Sequence, residues 1–347
     1  MSLGPVMIGV GGTVLSKSER TWLQHPAAGG VILFSRNFSD RSQVCDLVES
    51  IRSLRTPELL IAVDHEGGRV QRFRESFTRI PPMRDIGLLW LEDPDRAKRA
   101  AEAAGWLIGA ELRACGIDLS FAPVVDLDLG IASVIGDRAF HRESEIVCAL
   151  AKAHVRGMRK AGMAATAKHF PTHAGAVADS HLALAVDHRD YSQLYDDLQP
   201  YRSLIAAGLP SVMVGHVIFP ELDRLPASIS NWWIDTQLRA EFGFSGAVIS
   251  DDLGMGGVAE YGSIADRLEK SLEAGCDLAL ICNDLEEIPA ALERVRDYSD
   301  PAAQLRLIRL RGETCMSWED LCNSDRRREA LRLIDDLNRP PALELEG

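Results

Sequence analysis

A chain of 347 residues with 46% hydrophobic and 26% charged side chains has the material for a large core and a solvated surface, and nothing in that balance points to disorder. A formal net charge of −13 argues against a protein that wraps nucleic acid or sits on anionic lipid, because both partners reward Lys and Arg. No stretch approaches the roughly 20 apolar residues of a membrane span, Met1 to Gly12 lacks the basic segment and hydrophobic core of a leader, and the seven scattered cysteines hold no CxxC pair, so reduced thiols and a cytoplasmic location are expected.

Taken in chain order, short apolar runs rich in β-formers alternate with stretches of helical period. Val6 to Val10 is followed by a helical Ser18 to Gln24, Gly30 to Phe34 by Arg41 to Leu54, and Leu59 to Val63 by Pro94 to Cys115. Then come Ile117 to Val125 with Glu143 to Ala161, Ala164 to Ala167 with Tyr191 to Ala207, and Ser211 to Val214 with Ile234 to Phe242. Ala247 to Ile249 with Ile264 to Ala274, and Leu278 to Ile281 with Leu285 to Val295, complete eight such units. Glycines 116, 162, 208 and 275 stand where a helix must stop before the next strand. Eight βα units predict an α/β fold of the closed (β/α)8 TIM-barrel type rather than an open sheet. Beyond Asp300 the chain is charged and helical, so residues 1–338 are expected to form one domain with a C-terminal helical extension, and residues 339–347, with Pro340 and Pro341, a tail.

In a barrel the residues just past the strand ends converge on one mouth. Here they are Asp64-His65-Glu66, Asp126 and Asp128, Lys168-His169, His216, Asp251-Asp252 and Asn283, a concentration of ionisable groups that marks an active site. Three chemistries suit it. His65, His169, His173, His181 and His216 leave metal-dependent hydrolysis open, although no HxH or HExxH spacing occurs. Lys168, at a strand end, would serve a Schiff-base aldolase if burial lowered its pKa. Glycoside hydrolysis needs a nucleophilic carboxylate, for which Asp251 is available, and a proton donor from another loop. The most specific signal is KHFPTHAGAVADSH, Lys168 to His181, a long post-strand loop in which Asp179 stands two residues from His181, close enough to orient its imidazole for proton transfer.

With these residues in view the sequence resembles glycoside hydrolase family 3 and, within it, the NagZ-type β-N-acetylglucosaminidases of bacteria. The resemblance runs from Val6 to about Leu337 and is carried by VDHEGGRVQRF (63–73), FAPVVDL (121–127), IGDRAF (135–140), the Lys168–His181 loop and SDDLGM (250–255). It implies a (β/α)8 barrel, Asp251 as the catalytic nucleophile and His181, paired with Asp179, as an unusual acid/base in place of a second carboxylate. It also implies sugar binding by Asp64, Arg72, Arg138, Lys168 and His169. The implied activity is retaining exo-hydrolysis of terminal β-linked N-acetylglucosamine from small glycans, with glucosamine-anhydromuramic acid fragments of peptidoglycan recycling as substrate. No metal or cofactor, no nucleic acid and no membrane partner is expected, and the chain is expected to be monomeric. A β-glucosidase or β-xylosidase of the same superfamily, or a sugar-binding protein without turnover, is the alternative. Asp252 is expected only to brace the loop, Met255 to pack, and Gly67-Gly68 to serve a tight turn. Thr172 and Ala174 stand where the family usually has glycine; if those glycines need positive φ, Thr172 would be strained or force another loop path.

Overall fold

The structure, a computed structural model, describes residues 3–176, 184–313 and 315–337. Eight parallel strands close on themselves in strictly sequential order: β1 Val6–Gly9, β2 Ala28–Leu33, β3 Leu60–Val63, β4 Leu119–Ser120, β5 Ala164–Phe170, β6 Ser211–Val214, β7 Ala247–Asp252 and β8 Leu278–Ile281. Closure is made by β1 against β8, with Val6 opposite Ala279 and Ile8 opposite Ile281. Around them lie α1 Lys17–Leu23, α2 Arg41–Arg52, α3 Met83–Leu89, α4 Pro94–Ala114, α5 Ser144–Lys160, α6 Tyr195–Ala206, α7 Ile264–Glu273 and α8 Ile288–Arg294, followed by α9 Pro301–Ile308, α10 Trp318–Asn323 and α11 Asp325–Asp335. This is the expected (β/α)8 barrel with a helical C-terminal extension. No helix among the described residues is long and apolar enough to cross a membrane.

The strands read as continuous apolar runs because both of their faces are buried. Alternate residues go to two separate cores: Val6, Ile8, Val248, Ala279 and Ile281 pack outward against the helices. Met7, Ala247, Ile249, Leu278 and Leu280 fill the barrel interior with Phe121 and Met213. Helix starts are locally specified. Ser16 and Glu19 form a capping box on α1, Ser263 and Asp266 another on α7, and Asp93 caps α4 with Pro94 in its first turn. The four helix-stopping glycines all adopt positive φ, between 75° and 109°.

Two buried carboxylates tie the far end of the barrel to the extension. Asp118 accepts the Ile61 N–H at 3.0 Å, Arg52 and Arg113, and the Gly312 N–H at 3.1 Å. Asp277 accepts the Val248 N–H at 2.8 Å together with Arg239 and with Arg306 of α9.

Apart from shifts of up to three residues at element ends, the expected elements differ from the observed ones in four places. β4 is two residues long rather than nine, because Pro123 has no N–H to give the ladder; pairing resumes only at a bridge between Val124 and Lys168. α6 starts at Tyr195 rather than Tyr191, because Asp190 draws the Gln193 N–H and the Ser192 hydroxyl into a turn. The segment expected as Ile234 to Phe242 is a π-helix over Trp232–Glu241. The short α3 had no counterpart in the expected elements.

Candidate active site

The mouth is built first from β3. Past Val63 the chain stays extended, so Asp64 and Glu66 face the cavity while His65 between them turns away. His65 packs edge-on to Phe73 and beside Phe77, and burial, helped by the Arg72 charge, holds its imidazole neutral, with a pKa of about 3. Gly67 and Gly68, at φ of 111° and 52°, reverse the chain into a short antiparallel pair with Val70–Gln71, the tight turn expected of them. That return carries Arg72 over the rim, where its guanidinium lies 3.5 Å from Asp64 and 5.5 Å above the Phe34 ring.

β5 supplies the cations. Lys168 Nζ donates to Asp64 Oδ1 at 2.7 Å and stands 2.6 Å from Glu66 Oε1. The two Glu66 oxygens also receive Arg138 Nη2 and Nε, each at 2.8 Å, from the turn of 3-10 helix Gly136–Arg138. Burial by itself would raise the Glu66 carboxyl, but Arg138 and Lys168 carry it well below the usual carboxylate range. Burial would lower Lys168, yet Asp64 and Glu66 outweigh it and raise the amine above its ordinary value. A Schiff-base lysine must shed its proton, so this environment overturns the aldolase alternative.

His169, the next residue, places Nδ1 2.8 Å from Asp126 Oδ2 and Nε2 3.4 Å from Arg138 Nη2. The same carboxylate accepts the backbone N–H of His169 at 3.1 Å and of His173 at 2.6 Å. Burial would raise Asp126, but these donors and the His169 and His173 rings pull it to about 2. The His173 ring stands edge-on to His169 at 5.1 Å, wholly enclosed, with a pKa pushed down to about 3 by burial. Asp128, by contrast, is taken by Arg84 and the Gly130 N–H and does not line the cavity.

At β7 the two adjacent aspartates part. Asp251 lines the cavity and accepts the Asp252 N–H at 2.8 Å. Asp252 is buried beneath it, where its Oδ1 accepts the Gly254 and Cys282 N–H groups at 3.0 Å and its Oδ2 the Asn283 amide at 3.2 Å. Burial raises its pKa. It braces β7 against the turn after β8, as expected of it. His216 is a second bolt: Nε2 donates to the Asp252 carbonyl at 2.9 Å, and Nδ1 meets Ser228 Oγ at 2.6 Å. Neither His65 nor His216 faces the cavity, and among the described residues no group of three His, Cys, Asp or Glu forms a metal-ligand set.

Asp64, Arg72, Arg138, Lys168, His169 and Asp251 thus line one cavity of about 970 Å³, with Glu66, Phe34 and Met255 between them. Asp179 and His181 lie outside the described residues. The departures ahead of them are accommodated without strain, since among described non-glycine residues only Ser76 has positive φ. The Thr172 hydroxyl donates to buried Asp197 at 2.8 Å and accepts the Ala174 N–H at 3.0 Å. The sequence does not single out Glu66 or Phe34 as parts of the cavity lining, nor Asp126 as the carboxylate behind it. For Glu66 a signal existed, its place two residues beyond Asp64 on the same face of an extended segment.

The family model for the glycosyl hydrolase family 3 N-terminal domain matches residues 6–307. A β-hexosaminidase of Thioalkalivibrio sulfidiphilus is 48% identical over 346 residues, covering 100% of both chains. One of Alkalilimnicola ehrlichii is 49% identical over 348 residues, again covering 100% of both. The crystal structure of NagZ from Neisseria gonorrhoeae in complex with N-trifluoroacetyl-D-glucosamine matches with a TM-score of 0.91 at 41% identity, over 98% of this chain and 99% of that one. With sequence, barrel and relatives in agreement, the chain belongs to glycosyl hydrolase family 3 and is a glycoside hydrolase.

Proposed function

We propose that this enzyme removes terminal β-linked N-acetylglucosamine with retention, through a covalent glycosyl-enzyme on Asp251. The observation that carries the reading is the convergence of Asp251 with the Asp64, Glu66, Arg138, Lys168 and His169 cluster in one cavity of sugar size. In it, Asp64 accepts from sugar hydroxyls while Lys168 and the two arginines donate to hydroxyls and to the acetamido oxygen. Asp251 attacks the anomeric carbon through an oxocarbenium-like transition state. His181, oriented by Asp179, gives the leaving oxygen its proton and later activates water; those two roles rest on resemblance. The N-acyl glucosamine bound to the gonococcal relative supports the choice of sugar. The natural substrate we assign is the glucosamine-anhydromuramic acid fragment of peptidoglycan recycling, cleaved in the cytoplasm by a monomer that uses neither metal nor cofactor.

The test compares 4-nitrophenyl β-N-acetylglucosaminide with the matching glucoside and xyloside, with a chelator in a parallel run. Preference for the glucoside or xyloside overturns the specificity, and binding without turnover reduces the chain to a lectin. A slow fluoro-sugar inactivator should label Asp251, and Asp251→Asn should lose nearly all turnover. A label on Asp252 would sink the nucleophile assignment.

A further inference from the structure

Asp126 lies behind the sugar-facing shell, fully enclosed, and faces three N–H groups: the His169 and His173 backbones and the His169 ring. Asp118 and Asp277 hold as many donors at the far end of the barrel, but one donor of Asp126 is a ring that lines the cavity. The far side of the same ring settles what the arrangement does. Arg138 Nη2 can only donate, so its contact with His169 Nε2 requires an unprotonated nitrogen there. The ring proton therefore sits on Nδ1, pointing at Asp126. The β6 end packs closely on this pair, since a Cβ on Gly215 would lie 3.2 Å from His169 Cβ and 2.9 Å from His173 Nε2, closer than side chains ordinarily approach.

We propose that Asp126 is a positioning residue for the hydrolysis: it locks His169 in the Nδ1–H tautomer and thereby turns Nε2 into an acceptor for one hydroxyl of the bound sugar. The contact from Arg138 to Nε2, at 3.4 Å, is long, so a better-placed hydroxyl displaces or shares it. The cavity is otherwise rich in donors from Lys168, Arg72 and Arg138. The carboxylates Asp64, Glu66 and Asp251 accept elsewhere on the lining, and for a hydroxyl on the His169 side that must also donate the acceptor is this imidazole. With the opposite tautomer, Nε2–H would face the Arg138 N–H, donor against donor, and bare Nδ1 would face the Asp126 carboxylate, acceptor against acceptor.

The sugar part of the proposal rests on the functional reading above; the tautomer part does not. In ¹⁵N-labelled enzyme, long-range ¹⁵N–¹H correlation with His169 assigned through His169→Asn should show Nδ1 protonated and Nε2 unprotonated. Asp126→Asn keeps the shape but offers one acceptor oxygen to three N–H groups and sets an N–H₂ against the remainder, so the ring signals should move to those of a tautomer mixture. kcat/KM for 4-nitrophenyl β-N-acetylglucosaminide should then fall about 10- to 100-fold. Of the 3-, 4- and 6-deoxy substrates, one should be poor for the unaltered enzyme yet lose little further in Asp126→Asn, because the hydroxyl and the acceptor it needs are the same interaction. A protonated Nε2 in the unaltered enzyme overturns the proposal, as does an Asp126→Asn enzyme with unchanged ring signals and kcat/KM. If that variant does not fold, the spectrum and the deoxy series of the unaltered enzyme decide. Absence of turnover of any N-acetylglucosaminide by the unaltered enzyme would instead overturn the functional reading, and the ring spectrum would still decide the tautomer.

Discussion

Glu66→Gln is the substitution whose outcome the structure fixes most tightly. Glu66 is 3% exposed and holds Arg138 through two bonds of 2.8 Å and Lys168 at 2.6 Å. At an effective dielectric of about 20, an ion pair at such distances represents about 6 kcal/mol of gross attraction, most of it offset by dehydration of the ions. What removal of one partner costs is the remaining imbalance, about 3–5 kcal/mol for a buried pair. Glutamine keeps the length and removes the charge, leaving Arg138 and Lys168 with Asp64 as their principal counter-ion, and its amide N–H₂ must face one of them. Urea unfolding should therefore show a lower midpoint at unchanged slope. Because both cations lose the group that aims them, kcat/KM on the nitrophenyl substrate should fall by about 10². In a Lys168→Met background the same change should cost about 1–3 kcal/mol less, since one of the orphaned charges is gone. An unchanged midpoint together with kcat/KM within about twofold of the unaltered enzyme would refute the role given to Glu66.

Four further outcomes are expected. His154 is fully buried with neither ring nitrogen hydrogen-bonded, and burial lowers its pKa to about 4; the unfolded chain, at about 6.5, takes up the proton first. Stability from this group is whole above pH 6.5 and is lost as pH falls to 4, by about 3 kcal/mol, so His154→Leu should flatten the acid side of a stability–pH curve. Gly215→Ala drives a methyl to within 2.9 Å of His173 Nε2 and should destabilise by about 1–3 kcal/mol while lowering kcat/KM, read by thermal melting and steady-state assay. Thr172→Val removes the hydroxyl that satisfies Asp197 and the Ala174 N–H, at a cost of about 1–3 kcal/mol in urea titration. On the proposed mechanism, His181→Ala slows glycosylation by a poor leaving group roughly 10²- to 10⁴-fold and by a nitrophenyl leaving group much less; equal losses would remove the donor role.

The barrel was legible because a parallel strand covered on both faces leaves an uninterrupted apolar run, and because positive-φ glycines mark where four of the helices stop. Strand β4 was misjudged in length for a reason also present in the sequence, Pro123, whose missing N–H breaks the ladder. The mouth was half legible. Strand ends named the elements that contribute, but not which of two neighbours faces inward at each. At Asp64-His65-Glu66 the period of two separates the outward His65; at Asp251-Asp252 the outcome depends on the Cys282 N–H and Asn283 amide, some thirty residues on. The partners of Glu66 and Asp126 lie 72 and 43 residues further along the chain, and no local pattern reports such pairings.

The charge arrangement around the cavity follows from what a glycosidase must do. Neutral sugar hydroxyls call for strong donors, which argues for Lys and Arg at the mouth, yet an oxocarbenium-like transition state is positive and is opposed by uncompensated cations. The fold meets both demands by giving its two deepest cations carboxylate partners: Lys168 sits on Asp64 and Glu66, Arg138 on Glu66. Each keeps N–H groups to offer a substrate, while its field at the anomeric centre is largely cancelled. On the proposed mechanism Asp251 supplies the negative charge that tracks bond breaking, while Asp252 directly beneath it, whose pKa burial raises, is spent on backbone N–H groups rather than on a second anion at the same spot. The same logic places Asp126 behind His169, where a full charge orients a ring without meeting the sugar.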